Sequence, residues 1–401
     1  MASERHPLRV FLGAFGQPGH AFPMLALGAR LAERGHRVTF ETWERWRGPV
    51  TAAGVEFLAA PEYQPFPTRE RPLKPYEAVV RATPVTLAAI AERSPDVVVH
   101  DILTLAPALA GELHGTPVAT LVPHLYPVGE PGLPPYGLGA RLPRSERGRA
   151  AWRRLDPLVE MGLRQGRREL NETRRRLGLP PVARLHGGIS AVLCLVASLP
   201  QLEYPREWPE STHLVGPMQW EPPAPEVKLP PGQEPLVLVA PSTSHDPGQR
   251  MLRAALAGLR RADVRVLGVS NRRPLPRPTR TGGRARLVDW LSYERTMPRC
   301  ALVICHGGFG TLARSLTSGT PVLVVPHSGD MGENAARVDW AGVGVRLPWR
   351  LLSPLTLRLA VARALDPDAG YAGRAAEVAA WAAANDAAAR AAELVEALAR
   401  R

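Results

Sequence analysis

The chain has 401 residues, 45% of them hydrophobic and 22% charged, with 50 lysine and arginine side chains against 37 acidic ones. That length and apolar content fill one or two full cores and exclude a disordered, fibrous or small disulfide-stapled protein; at roughly 100–200 residues per domain, two domains are expected. The +13 formal charge is almost entirely arginine, Lys74 and Lys228 being the only lysines, in a chain also rich in alanine, glycine and proline, so it reads as coding bias and no nucleic-acid partner is expected.

The first apolar run, 8–15, is only eight residues long and ends without a small-residue cleavage signature, so it reads as a strand and not as an export signal. No stretch elsewhere reaches the roughly 18 apolar residues that span a bilayer. A soluble, cytoplasmic protein without stable membrane insertion is expected, as a monomer or homodimer. Short β-branched runs at 36–42, 54–60, 96–101, 117–123 and 189–198 follow, alternating with amphipathic stretches, the first of which reads as a helix over 22–34 closed by Gly35. The arginine cluster at 164–176 has helical spacing with Glu169 and Glu172 interleaved, which suggests a solvated face.

Prolines then interrupt the pattern over 218–235, a semi-rigid linker between a first doubly wound unit at 1–217 and a second at 236–370. Strand-like runs resume at 236–241, 264–270, 285–290, 301–306, 321–326 and 342–348, and the alanine-rich end, 371–401, reads as one or two surface helices. This is an α/β architecture of two parallel sheets wrapped by helices. Cys194, Cys300 and Cys305 form no CxxC pair and lie in the apolar strand runs, as buried thiols do; neither a disulfide framework nor a zinc site is expected.

Chemistry is densest between 301 and 347. A strand ends at His306, a glycine-rich turn follows, and a helix opens near Phe309 to Thr311. Backbone N–H groups at that end, with about half a positive charge from the helix dipole, suit a diphosphate. Gly329 and Asp330 follow the next strand, and in an open α/β sheet the ends of adjacent strands share one crevice, where a carboxylate can accept from sugar hydroxyls.

With PGHAFPMLALGARLAERGHRVTF (18–40), HLVGP (213–217) and VDWL (288–291) in order along the chain, this region resembles the nucleotide-sugar-binding signature of glycosyltransferases that act on small lipophilic acceptors, including bacterial antibiotic and macrolide enzymes and plant secondary-metabolite enzymes. The resemblance implies a GT-B fold, two facing Rossmann-like domains, with the acceptor bound mainly in the first and the nucleotide sugar mainly in the second, and with terminal helices that pack back on the first. It assigns His20 as the base that deprotonates the acceptor and pairs it with Asp101. It assigns His306, Gly308, Gly310 and Thr311 to the diphosphate, Trp290 and Leu291 to the nucleobase, Asp330 and Met331 to the sugar, and Ser242 with Thr243 to the first loop of the second domain. An inverting single displacement is implied. No cofactor or metal is expected, since no DxD motif lies between apolar strands and the nucleotide sugar is a co-substrate.

Two departures bear on the donor. Met331 stands where many relatives have glutamine, and Arg314 where many users of UDP sugars carry a glutamate that grips both ribose hydroxyls; together they lean toward a dTDP-deoxysugar over UDP-glucose. Ser292-Tyr293 replaces the usual Pro-Gln. The proline-rich loops at 61–75 and 124–145 offer Phe66, Leu125, Tyr126 and Tyr136 to an apolar acceptor. His100, His114 and His124 match no position of the signature and read as structural or acceptor-loop residues. A membrane lipid acceptor and a non-catalytic nucleotide-sugar-binding helper protein are the alternative functions.

Overall fold

Strands buried on both faces need helices above and below them, and the alternating sequence supplies both. The computed structural model describes residues 6–61, 76–242, 246, 248–271 and 283–401, so Phe66 and Thr243 lie outside the described residues. In the first domain β1 (Arg9–Gly13), α1 (Pro18–Glu33), β2 (Arg37–Thr42), α2 (Arg47–Ala52) and β3 (Glu56–Ala59) precede α3 (Glu77–Arg93), β4 (Val97–Asp101), α4 (Leu105–His114) and β5 (Val118–Val122). Then come α5 (Glu146–Arg153), α6 (Asp156–Arg176), β6 (Leu193–Val196) and β7 (Thr212–Leu214). Every pairing is parallel, in the order β3-β2-β1-β4-β5-β6-β7.

The second domain repeats the plan with β8 (Leu236–Ala240), α7 (Arg250–Leu259), β9 (Arg265–Val269), β10 (Ala285–Val288), α8 (Tyr293–Thr296), β11 (Leu302–Cys305) and α9 (Phe309–Thr317). It continues through β12 (Val322–Val324), α10 (Met331–Ala341), β13 (Gly344–Arg346) and α11 (Pro354–Ala364). Its sheet order is β10-β9-β8-β11-β12-β13, again parallel. Both sheets are therefore doubly wound, and each reverses winding between its first and fourth strands, at β1/β4 and at β8/β11.

Two local features differ from the sequence pattern. Helix α1 starts at Pro18, four residues before the apolar period begins, because proline brings a helical φ and lacks only an N–H that the first turn leaves unbonded anyway. His20 consequently sits in the first turn of a helix. The segment at 213–217 begins in an edge strand, β7, whose three residues are too few to show a period. The cysteines are all buried, as expected, and burial pushes each thiol up to about 12. Among the described residues no helix is long and apolar enough to cross a membrane.

The chain ends in two helices, α12 (Tyr371–Ala384) and α13 (Ala387–Ala399). Ala375 and Val378 of α12 enter a core of the second domain, whereas Ala391, Ala392 and Val395 of α13 enter the core formed by β1 and α1. The alanines let α13 lie close to α1, and one buried carboxylate fixes its register. Glu396 accepts from Arg34 Nε at 2.5 Å and from His36 Nε2 at 3.0 Å. His36 Nδ1 accepts the Leu8 N–H at 3.1 Å, so its ring proton is on the nitrogen that faces Glu396.

These bonds hold Glu396 down at about 2 against an ordinary 4.5, the hydrogen bond from Arg34 being the largest cause. A carboxylate depressed by folding stabilises the folded state fully above its unfolded value and loses that contribution as pH falls through its folded value. Glu396→Ala should cost about 2–3 kcal/mol, as loss of charge-assisted bonds at a buried site does. In acid titrations of thermal stability, the variant should lack the part of the decline that wild type shows between pH 4.5 and 2.

Candidate active site

Parallel winding leaves a crevice outside the carboxyl ends of the strands wherever the winding reverses. His20 follows β1 and Asp101 ends β4, the two strands that flank the reversal in the first sheet. Their side chains meet, His20 Nδ1 lying 2.7 Å from Asp101 Oδ1. Asp101 is fully buried and also accepts from Thr104 Oγ1 at 3.2 Å and the Phe15 N–H at 3.4 Å. Burial alone would raise its carboxyl, but the charge and hydrogen bond of His20 overcome this and keep it low, hence ionised. An ionised carboxylate only accepts, so Nδ1 carries the His20 proton and Nε2 is left as a base. Burial opposes charge on His20 too; the charge and hydrogen bond of Asp101 outweigh it and raise the imidazole above 6.5, with a smaller push from Asp330.

That last influence crosses from the other domain. At the reversal in the second sheet, β11 runs into His306 and Gly308, and α9 opens on Gly308, which brings no side chain to cap the first N–H groups. A Cβ at Gly308 would lie 2.5 Å from His306 Nε2, so a larger residue there would push the imidazole out of this position. Gly310 has open space beside it, and Thr311 is half-buried one residue on. The uncapped positive end of the helix, His306 and Thr311 thus lie within one short turn.

Asp330 immediately precedes α10, beside this turn. Asn334, fully buried, donates to the Gly307 carbonyl at 2.8 Å and lies 3.4 Å from Asp330 Oδ2, so the glycine turn and the carboxylate are tied to the same helix. Met331 is buried. After β10, Trp290 is half-buried and Leu291 buried, and the linker's Glu221 accepts from Ser292 Oγ and, at 3.1 Å, from the Tyr293 N–H, fixing the start of α8. Arg314 is 12% exposed and 3.8 Å from Glu294. Ser242 is buried just beyond β8.

The loop at 124–145 spans the gap. Gly139, at φ +62°, lies so close to Gly332 that an added Cβ would be 2.5 Å from its carbonyl carbon, and the Gly139 carbonyl accepts from Arg346 at 2.6 Å. Tyr136 places its hydroxyl 3.3 Å from His124 Nδ1, and the His124 ring centre is 6.0 Å from that of His20. From sequence His124 reads as a structural or acceptor-loop residue, and its place two residues after β5 puts it at the carboxyl end of the sheet, on the acceptor-loop side. His100 is purely internal, bonded to Thr120 Oγ1 at 2.7 Å. Of the expected acceptor residues, Leu125 is fully buried in a core shared with the second domain and Tyr126 packs on Trp208 and Arg206. Their side chains are committed to anchoring the loop, which leaves Tyr136 beside His20's neighbour. Among the described residues no group of three or more His, Cys, Asp or Glu side chains is arranged to hold a metal ion.

The combination is a hydrogen-bonded His–Asp pair at the winding reversal of one sheet and, at that of the other, the start of a helix next to a carboxylate whose charge reaches the histidine. Residues 254–398 match the family described as erythromycin biosynthesis protein CIII-like, C-terminal domain. Over 97% of this chain and 99% of the relative, the sequence is 27% identical to 4'-demethylrebeccamycin synthase of Lentzea aerocolonigenes. It is 31% identical to O-mycaminosyltylonolide 6-deoxyallosyltransferase of Streptomyces fradiae over 84% of this chain and 85% of that enzyme. The fold is shared with the glycosyltransferase of kitacinnamycin (TM-score 0.77, 22% identity, 98% and 99% of the two chains) and with the glycosyltransferase VinC, solved in complex with dTDP (TM-score 0.68, 19% identity, 98% and 100%). On this sequence kinship and this architecture, the chain belongs to the GT-B nucleotide-sugar-dependent glycosyltransferases, the family of the antibiotic and macrolide enzymes.

Proposed function

We propose that the protein moves a sugar from a nucleoside diphosphate to a hydroxyl of a lipophilic small molecule, with inversion at the anomeric carbon. The observation that carries this reading is the opposition of the His20–Asp101 pair to Asp330 and the open end of α9, one set at each reversal of winding. His20 Nε2 takes the proton of the acceptor hydroxyl as that oxygen attacks. Asp101 holds the tautomer and stabilises the imidazolium that forms. The bond to the diphosphate breaks on the far side of the anomeric carbon, and the charge that develops is met by the α9 amides, His306 and Thr311 with no metal in the mechanism.

In the same reading Asp330 accepts from sugar hydroxyls, Trp290 and Leu291 flank the base, and Ser242 approaches the phosphates. Buried Met331 brings no polar group to the sugar and Arg314 turns to Glu294, so neither supplies the hydroxyl contacts of the typical UDP-sugar site. A dTDP-deoxysugar, with fewer hydroxyls to satisfy, is the donor this arrangement favours. The lipophilic acceptor enters beside Tyr136 and His124. The relatives named above, a 4'-demethylrebeccamycin synthase and an O-mycaminosyltylonolide 6-deoxyallosyltransferase, support a natural-product acceptor and a role in secondary metabolism.

His20→Ala should lower kcat about 10²–10⁴-fold, the usual worth of a general base, and leave nucleotide affinity measured by calorimetry unchanged; loss of both together would contradict the assignment. Because only neutral His20 is a base, kcat/KM should rise with pH through a midpoint above 6.5. Asp101→Asn should slow turnover about 10²-fold or more and move that midpoint to lower pH, since the carboxylate that raises it is gone. In a thermal-shift series, dTDP-deoxysugars should raise the melting temperature more than UDP-glucose does. Asp330→Ala should weaken binding of the nucleotide sugar about tenfold, as loss of one or two hydrogen bonds would, without changing affinity for the free nucleotide.

A further inference from the structure

Among the described residues, little packs on the outward face of the arm formed by helices α5 and α6. No residue of α5 is buried, and the only buried residues of α6, Leu170, Thr173 and Arg174, fall in its second half. At the bend between the helices Leu155, Leu158 and Met161 are 38%, 60% and 64% exposed. Single exposed leucines are ordinary, but adjacent ones grouped at a bend call for a cause. Helical spacing puts Leu158 and Met161 on one face with Arg164 and Arg168, while Arg147, Arg149, Arg153 and Arg154 flank the bend from the other side. The stretch 144–176 holds eleven arginines against five acidic residues. Pairs such as Arg164–Glu160 at 2.7 Å and Arg153–Glu146 at 3.4 Å are exposed and readily exchanged for other anions.

The arm is also joined to the cleft. The Gly132 N–H lies 3.3 Å from Asp156 Oδ2 at the start of α6, and Gly132 belongs to the loop that carries Tyr136 and Gly139 across the gap.

We propose that this arm docks the protein on an anionic membrane surface. Leu155, Leu158 and Met161 enter the boundary between headgroups and acyl chains, and the surrounding guanidinium groups pair with lipid phosphates. A nucleic acid would engage the arginines and leave the leucines without purpose. A second copy of the chain would cover the leucines but bring like charge against like. The docking stands apart from sugar transfer; where both hold, it sets the cleft mouth beside the phase in which a lipophilic acceptor dissolves.

The test is flotation of the full chain with vesicles of phosphatidylglycerol and phosphatidylcholine, and with phosphatidylcholine alone. The protein should float with the anionic vesicles at low salt, release at high salt and ignore the neutral ones. Leu158→Asp combined with Met161→Asp should cut partitioning about tenfold, and so should Arg164→Glu combined with Arg168→Glu, with unchanged melting temperature because all four side chains are exposed. Failure of wild type to float, equal binding to neutral vesicles, or wild-type binding by the apolar double variant overturns the proposal. A concentration-dependent dimer in light scattering, dissolved by Leu158→Asp in a protein that does not float, overturns it in favour of a second copy. Flotation reads nothing of turnover, so a protein that floats but transfers no sugar refutes the catalytic reading alone.

Discussion

Parallel strands cannot be joined by tight turns, and from that constraint the rest of the site follows. Each crossover returns the chain over one face of the sheet, and where the direction of crossing reverses no connection covers the strand ends. Two sheets of the same order, set so that a loop of the first lies against a helix of the second, bring two such openings into one cleft. The catalytic pair proposed here comes from β1 and β4, and the proposed diphosphate site follows β11, next to β8. Among the described strands no other neighbouring pair marks a reversal of winding.

Electrostatics within the cleft work by opposition. Asp101 would be costly to bury as an isolated anion, and His20 costly as an isolated cation; paired, each sustains the charge of the other. His124 stands close by, and burial, followed by the charge of His20, pushes it down where the carboxylate pushes His20 up. Its Nδ1 donates to the Leu125 carbonyl at 2.8 Å, which fixes the tautomer and turns the Nε2 lone pair away from that backbone contact. The two imidazoles are thus shifted in opposite directions: burial outweighs the nearby carboxylates at His124, whereas at His20 the direct bond to Asp101 outweighs burial.

Much of this was legible in the sequence because it depends on order along the chain. Alternating strands and helices gave the two sheets, and a glycine-rich turn after a strand gave the start of α9. His20 and Asp101 were legible as a pair only through resemblance, since 81 residues separate them and nothing local says that β1 and β4 are neighbours. The roles of Leu125 and Arg314 were not legible, because burial is decided by what packs from elsewhere: Leu125 is covered by the second domain, and Arg314 meets a glutamate twenty positions away. The arginines at 164–176 were rightly solvated on one face, yet Arg174 is buried, with a carbonyl partner at Pro180 and Glu112 at 2.7 Å. Composition does not distinguish those two fates.

Helix α10 shows why the two halves of the cleft keep their spacing. Asp330, Asn334 and Arg337 recur at helical intervals and therefore share one side of it. Asn334 holds the turn before α9. Arg337, one turn further, donates to the Leu202 carbonyl of the first domain at 3.1 Å, lies 3.4 Å over the ring of Tyr204, and is bonded to Glu333 at 2.9 Å. Glu203, 3.7 Å away, accepts the Tyr126 N–H and so holds the root of the cleft-spanning loop. A change in the angle between the domains would strain Arg337 together with the Gly139–Arg346 bond, and α10 links Arg337 directly to Asp330 and to the glycine turn. A buried guanidinium that touches neither the proposed base nor the proposed donor site thus shares with the Gly139–Arg346 bond in holding them apart.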